Sequence, residues 1–206
     1  MALGFLHNIK WGLPIWAWIV IAIVVIAIII YLVYTYMHNE TLNTVIDVGD
    51  LHYSQDLVDH IDASEGDELN VYTDLNGHET IGYGHNLDSI PYFSDGTPIP
   101  STITQDQAVE LEDDDLDTLE TQVKKYLGGF AYTQGQWDAI IDFAWGGIGT
   151  FVGSTLYKRL TGQIASTDQD IAAEFGKWVY AGNPLTVQPG LVTRRQWESD
   201  RYLGNY

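Results

Sequence analysis

Within residues 64–85, SEGDELNVYTDLNGHETIGYGH, three side chains able to do acid, base and water chemistry stand nine and then six positions apart: Glu65, Asp74 and Thr80. Glu65 closes a helical pattern just before Gly66, so one side of its carboxyl is screened from water, which favours holding a proton near neutrality. Asp74 lies in a polar turn and is expected to stay ionised. Two carboxyl groups with separated proton affinities, plus a hydroxyl that can hold a water, are what cleavage of a glycosidic bond requires. Taken singly, each residue has a plainer reading: a solvated helix end, a turn Asp and a strand Thr.

The turn itself sets a geometric condition. If Asn76-Gly77 formed a strict two-residue hairpin loop, Asp74 would pair with Glu79 and Thr80 would point to the opposite face. Convergence of Asp74 and Thr80 therefore predicts a wider turn, with Asp74 in the loop. His85, at the end of the stretch, has the ring chemistry of a base or a metal ligand, but a structural hydrogen-bonding role is the simpler expectation.

The arrangement Glu65-Gly66, Tyr72-Thr73-Asp74, Gly77 and Thr80-Ile81-Gly82-Tyr83-Gly84-His85 resembles the phage-type lysozymes. ITQDQA at 103–108, QGQWDAIIDFAWGGIG at 134–149, STLYKRL at 154–160 and PGLVTRRQWE at 189–198 follow in the same order. Several ordered matches make the resemblance specific. It implies Glu65 as proton donor, Asp74 as the carboxylate that activates or positions water, Thr80 as its hydroxyl partner, and an inverting mechanism. It also implies an arginine against Glu65, with Arg194 and Arg195 both open. Gly146 departs from the family, which usually carries Asn there.

Elements able to position these groups can be read from the pattern. Ser54 is an N-cap for a helix with Leu57, Val58 and Ile61 as its apolar stripe, and Val71, Tyr72, Ile81 and Tyr83 flank the turn as short strands. The proline-rich loop 87–100 reads as a surface insertion. Thr104 caps a long helix with Ala108, Leu111, Leu116, Leu119, Val123 and Leu127 on one face, whose acidic run Glu112–Asp115 reads as a solvated face rather than a metal site. An aromatic core helix at 134–146 and shorter amphipathic helices complete an α+β fold: a mainly helical, lysozyme-like domain with a small β-hairpin lobe.

Ahead of this domain, IWAWIVIAIVVIAIIIYLV at 15–33 contains no charge. Nineteen residues at about 1.5 Å each span roughly 28 Å, close to a hydrocarbon thickness of about 30 Å. A signal peptide has a shorter apolar region and a small-residue cleavage site, so an uncleaved anchor is the better reading. Trp11, Trp16 and Trp18 at one end and Tyr31, Tyr34 and Tyr36 at the other suit the two interfaces, and Lys10 puts the N-terminus in the cytoplasm. The expected organisation is a short cytoplasmic N-terminus at 1–13, a transmembrane helix at 14–37, a linker at 38–53 and the catalytic domain at 54–206. The Ile/Val composition of the span argues for a permanent tether rather than a releasable one.

Residues 40–206 hold all 28 acidic residues and eight of the nine Lys and Arg, a formal charge of −20. That excludes strong non-specific nucleic-acid binding, which rests on cationic contacts to phosphate. Screening in a salty medium and delivery by a tether both accommodate such a charge beside an anionic cell wall. With no cysteine, disulfides and thiol chemistry are absent; no metal or cofactor is expected. The expected partners are peptidoglycan glycan strands and the lipid bilayer, and the expected activity is that of a membrane-tethered muramidase. A lytic transglycosylase, or an inactive wall-binding protein of a virion membrane, are the alternatives; Asp74 and Thr80 speak against both.

Overall fold

The structure is a computed structural model describing residues 14–66, 68–74, 77–182 and 184–205, with residues 36–42 by their backbone alone. The expectations for residues 1–13, including Trp11, lie outside it, as do Leu75 and Asn76 of the turn. The chain divides into two units, Met1–Leu42 and Asn43–Tyr206.

The first unit carries helix α1, Ile15–Asn43. Its stretch Ile15–Thr35 has 21 residues at a mean hydropathy of 3.0. Among the described residues it is the one helix long and apolar enough to cross a membrane, by length and composition. Trp16, Tyr31 and Tyr34 are well exposed near its ends.

The second unit starts earlier than the sequence pattern suggests. The pattern predicts a linker at 38–53, yet α1 continues to Asn43, and β1 (Ile46–Asp47) then pairs antiparallel with β5 (Ala131–Tyr132). A 3-10 turn follows at Val48–Asp50, capped by the Asp47 carboxylate on the Gly49 N–H. Val48 and Leu51 are 1% exposed, and the Tyr53 N–H donates to Glu120 at 2.7 Å. The segment has too few apolar residues to show a period, but Val48 and Leu51 lie in the core and Ile46 and Tyr53 pack against it.

Helix α2 (Gln55–Glu65) starts at Ser54, whose hydroxyl accepts from the Leu57 N–H. A three-stranded antiparallel sheet follows, β2 (Glu68–Thr73), β3 (Glu79–Gly82) and β4 (His85–Asn86), in that spatial order. Helix α3 (Gln105–Leu127) opens with a capping box between Thr104 and Gln107, and α4 (Gln134–Trp145) with one between Thr133 and Gln136. Three shorter helices, α5 (Ile148–Gly153), α6 (Thr155–Leu160) and α7 (Asp168–Phe175), lead to a small hairpin, β6 (Tyr180–Ala181) with β7 (Thr186–Val187). Helix α8 (Pro189–Tyr202) closes the domain, with proline in its first turn.

Two apolar clusters hold this unit together. The larger, including Leu57, Ile61, Trp137, Ile140, Phe151 and Phe175, fills the helical body. The smaller, including Ile81, Phe93, Ile103, Ala108 and Leu111, lies under the three-stranded sheet. Helix α3 feeds both, Leu111 into the smaller and Leu116, Leu119, Val123 and Leu127 into the larger. Helix α3 thereby spans the two lobes. The acidic run on α3 is not uniformly solvated as expected: Glu112 is 3% exposed. Its place one turn from Ala108 and Leu116 puts it on the inner face.

Candidate active site

Glu65 is the last residue of α2, and the helix stops there because Gly66 takes φ 73°, a left-handed conformation that glycine adopts freely. The Glu65 side chain is about a quarter exposed. Its Oε1 accepts a hydrogen bond from Arg194 Nη1. Arg194 is thus the arginine set against Glu65. Arg195, its neighbour on α8, turns away: its Nη2 lies 3.0 Å from Glu198 Oε1, and its guanidinium sits over the Phe143 ring at 5.0 Å.

The hairpin shows the wider turn. Tyr72 pairs with Thr80 and Thr73 with Glu79. The Asp74 N–H donates to the His78 carbonyl at 2.9 Å, and the His78 N–H donates to Asp74 Oδ1 at 2.8 Å. Three residues therefore separate Asp74 from His78. Alternation then puts Asp74, His78 and Thr80 on the same face. Thr80 is 4% exposed, and its hydroxyl donates to the His78 carbonyl at 3.2 Å. Tyr72, on that face too, has its phenol pushed toward the neutral form by burial and then by the charges of Glu65, Asp74 and Glu68, so these carboxylates share one neighbourhood.

A groove of about 340 Å³ runs between the lobes, its wall including Gly84, Asn86, Asp115, Gln122 and Trp145. Gly84 and Trp145 tie it to Glu65. A Cβ placed on Gly84 would stand 3.8 Å from Glu65 Oε2 and 3.9 Å from Trp145 Nε1. The absence of a side chain there leaves the carboxyl open to the groove. Its amides and hydroxyls suit sugar substituents, and an indole edge beside an acid suits a pyranose ring.

His85 is 3% exposed and faces two acceptors, Asp115 Oδ2 at 2.8 Å and the Ile90 carbonyl at 2.7 Å. Burial alone disfavours its cation. The Asp115 hydrogen bond and charge, with the Ile90 carbonyl, outweigh that and raise its proton affinity. As a double donor, His85 fastens β4 to α3 and to the loop at Ile90, which also lines the groove. Among the described residues no group of three or more His, Cys, Asp or Glu is placed to hold a metal ion.

The phage lysozyme family profile matches residues 62–198, from α2 through Glu198 on α8, and so covers Glu65, Asp74, Thr80 and Arg194. The chain belongs to the phage lysozyme family. It is similar to an endolysin of Acyrthosiphon pisum secondary endosymbiont phage 1, at 34% identity over 157 residues, 72% of this chain and 95% of the relative. It is also similar to the endolysin of Salmonella phage P22, at 29% identity over 74% of this chain and 99% of the relative. Among solved structures, the endolysin from Escherichia coli O157:H7 phage FAHEc1 aligns with a TM-score of 0.61 and 28% identity, covering 77% of this chain and 96% of the other. This phage lysozyme is accordingly a glycoside hydrolase of the muramidase type.

Behind Glu65 lies a layer of charge that no local motif announces. Arg194 grips Asp142 with two donors, Nε to Oδ2 at 3.1 Å and Nη2 to Oδ1 at 2.9 Å. One turn back on α4, Asp138 accepts from Arg201 Nη2 at 2.7 Å and from the Ser54 hydroxyl, also at 2.7 Å. Asp138 and Asp142 are both 0% exposed. The sequence does carry a signal for it: two Asp four apart in an otherwise apolar helix need buried cations, and Arg194 and Arg201, two turns apart on α8, supply them.

Proposed function

We propose that this phage lysozyme is a membrane-anchored muramidase that hydrolyses the β-1,4 linkage between N-acetylmuramic acid and N-acetylglucosamine in bacterial peptidoglycan. Glu65 protonates the leaving glycosidic oxygen, Asp74 activates a water, and Thr80 holds that water from the same face of the hairpin. The observation that carries this reading is the placement of Glu65 at the open end of α2, in front of the groove and against Arg194. Water placement by a carboxylate and a hydroxyl implies inversion, with a carboxyl separation of roughly 6.5–9.5 Å rather than the roughly 5–5.5 Å of a covalent route.

The apolar stretch Ile15–Thr35 supports a single span with a cytoplasmic N-terminus and an external catalytic domain, acting either at infection or in host lysis. Glu65→Gln is nearly isosteric and removes the proton donor. It is expected to leave the fold intact and to abolish clearing of a peptidoglycan suspension; equal turnover by the folded variant would sink the assignment. For the anchor, the full-length protein is expected to stay with membranes through alkaline washing. Its recovery in the soluble fraction would show a releasable or removable segment instead.

A further inference from the structure

Arg194 divides its guanidinium between two carboxylates, giving Nη1 to Glu65 and both Nε and Nη2 to Asp142. The arginine side chain is 10% exposed and that of Asp142 0%, so neither charge is screened by water. We propose that Asp142 is a positioning residue for the glycosidase reaction: it locks Arg194 in the orientation that meets Glu65, and its charge limits how strongly that cation holds Glu65 in the ionised form. The inference rests on Glu65 being the proton donor.

The physical argument is one of competition. A general acid must carry its proton at the working pH, and a lone arginine against it favours the proton-free form. A second anion gripping the same guanidinium offsets that field. Only a planar, forked cation can meet two carboxylates in this way.

The remaining charged and titratable groups around the pair are few. Around Asp142, His60 of α2 has its Nε2 3.7 Å from Oδ2, and its proton affinity is lowered, chiefly by burial. It stacks on Trp197 at 3.8 Å, which limits its approach. Glu198 of α8 is 0% exposed; burial, then the neighbouring Asp142 charge, drives its carboxyl well above the usual carboxylate range. Arg195 shares this environment from the Glu198 side. Around Glu65, Tyr72 of β2 and Glu112 of α3 add to the field. Burial, with the charges of Asp62 and then Asp113 and Glu65, raises Glu112 to about 8. Of these groups, Asp142 is the one that meets Arg194 directly, through two hydrogen bonds from behind the acid.

The test is the pH dependence of kcat/KM on soluble peptidoglycan fragments for the wild type and Asp142→Asn. Removing the Asp142 charge leaves Arg194 to Glu65 alone, so the alkaline limb is expected to move to lower pH. Each unit of displacement lowers the rate above the limb by about tenfold while leaving the rate near pH 5 within about threefold. Glu198→Gln, at a carboxyl that faces Arg195 rather than Arg194, is expected to leave the limb in place. A uniform loss at every pH in Asp142→Asn would overturn the proposal, as would a shift in Glu198→Gln equal to that of Asp142→Asn. Asp142→Ser keeps an acceptor with less crowding and gives the same readout should the amide not fold; if neither variant folds, the role is structural and the proposal falls. An inactive wild type, or an active Glu65→Gln, would instead sink the proton-donor assignment, which separates the two failures.

Discussion

Tyr72 pairs with Thr80 across the β2–β3 hairpin, one register away from the partner that a two-residue Asn76-Gly77 loop would give it. That single step decides whether Asp74 and Thr80 share a face, because strand side chains alternate with a period of two. The hydrogen bonds between Asp74 and His78 hold the register in place.

Thr80→Val keeps the shape of a 4%-exposed side chain and removes its hydroxyl. Turnover is expected to fall by about 10²-fold or more with the fold retained, since positioned proton-transfer and water-holding groups contribute on that scale. Circular dichroism and a peptidoglycan turbidity assay on the same sample check it. Near-wild-type turnover would remove Thr80 from the mechanism.

Stability is expected to decline as pH rises from about 5 to 9. His85 has a folded proton affinity above its ordinary value, so its contribution is complete below about 6.5 and is lost as pH climbs through the raised folded value. Glu112, held at about 8 in the fold against 4.5 when free, keeps its proton over a range where the unfolded chain has released it, which lowers stability in the same direction. Glu112→Gln mimics the neutral acid. Urea unfolding at pH 5 and pH 9 should show the variant gaining on the wild type by more than about 1 kcal/mol at the higher pH. Parallel pH profiles would contradict the buried neutral acid.

A chain starting at Asn43 is expected to fold as the isolated second unit, and one starting at Ser54 to be much weaker. The shorter chain lacks β1, the 1%-exposed Val48 and Leu51, and the Tyr53 N–H that satisfies Glu120. Burial of two aliphatic side chains alone is worth roughly 3–6 kcal/mol. Equal urea midpoints for the two forms would show that residues 43–53 are a passive linker after all.

Gly84 has φ 98°, and a methyl group there would fill the space between Glu65 Oε2 and Trp145 Nε1. Gly84→Ala is expected to lose about 1–3 kcal/mol from the left-handed backbone and to weaken substrate binding as well, through narrowing of the groove. Gly146 is different: its φ is −65°, and an added Cβ would approach only the Phe143 carbonyl at 3.4 Å. Gly146→Asn, the residue more usual in the family, should therefore be tolerated by the fold.

The helix starts at Ser54 and Thr104, the stop at Gly66, the apolar span and the need for a wide turn are all legible in the sequence. Each depends on residues a few positions apart, where capping reach, helical period and strand alternation act directly. The choice between Arg194 and Arg195 is not, because adjacent helix residues point about 100° apart and only the packing of α8 on α4 selects which one faces Glu65, 129 positions earlier. For the same reason Val48 and Leu51 read as linker and Glu112 as solvated surface: burial of an isolated residue is settled by what folds over it. The proposed catalytic triplet, Glu65, Asp74 and Thr80, is written locally in the chain, whereas the charge behind it, from Asp142 through Arg194 to Glu65, exists only where three helices meet.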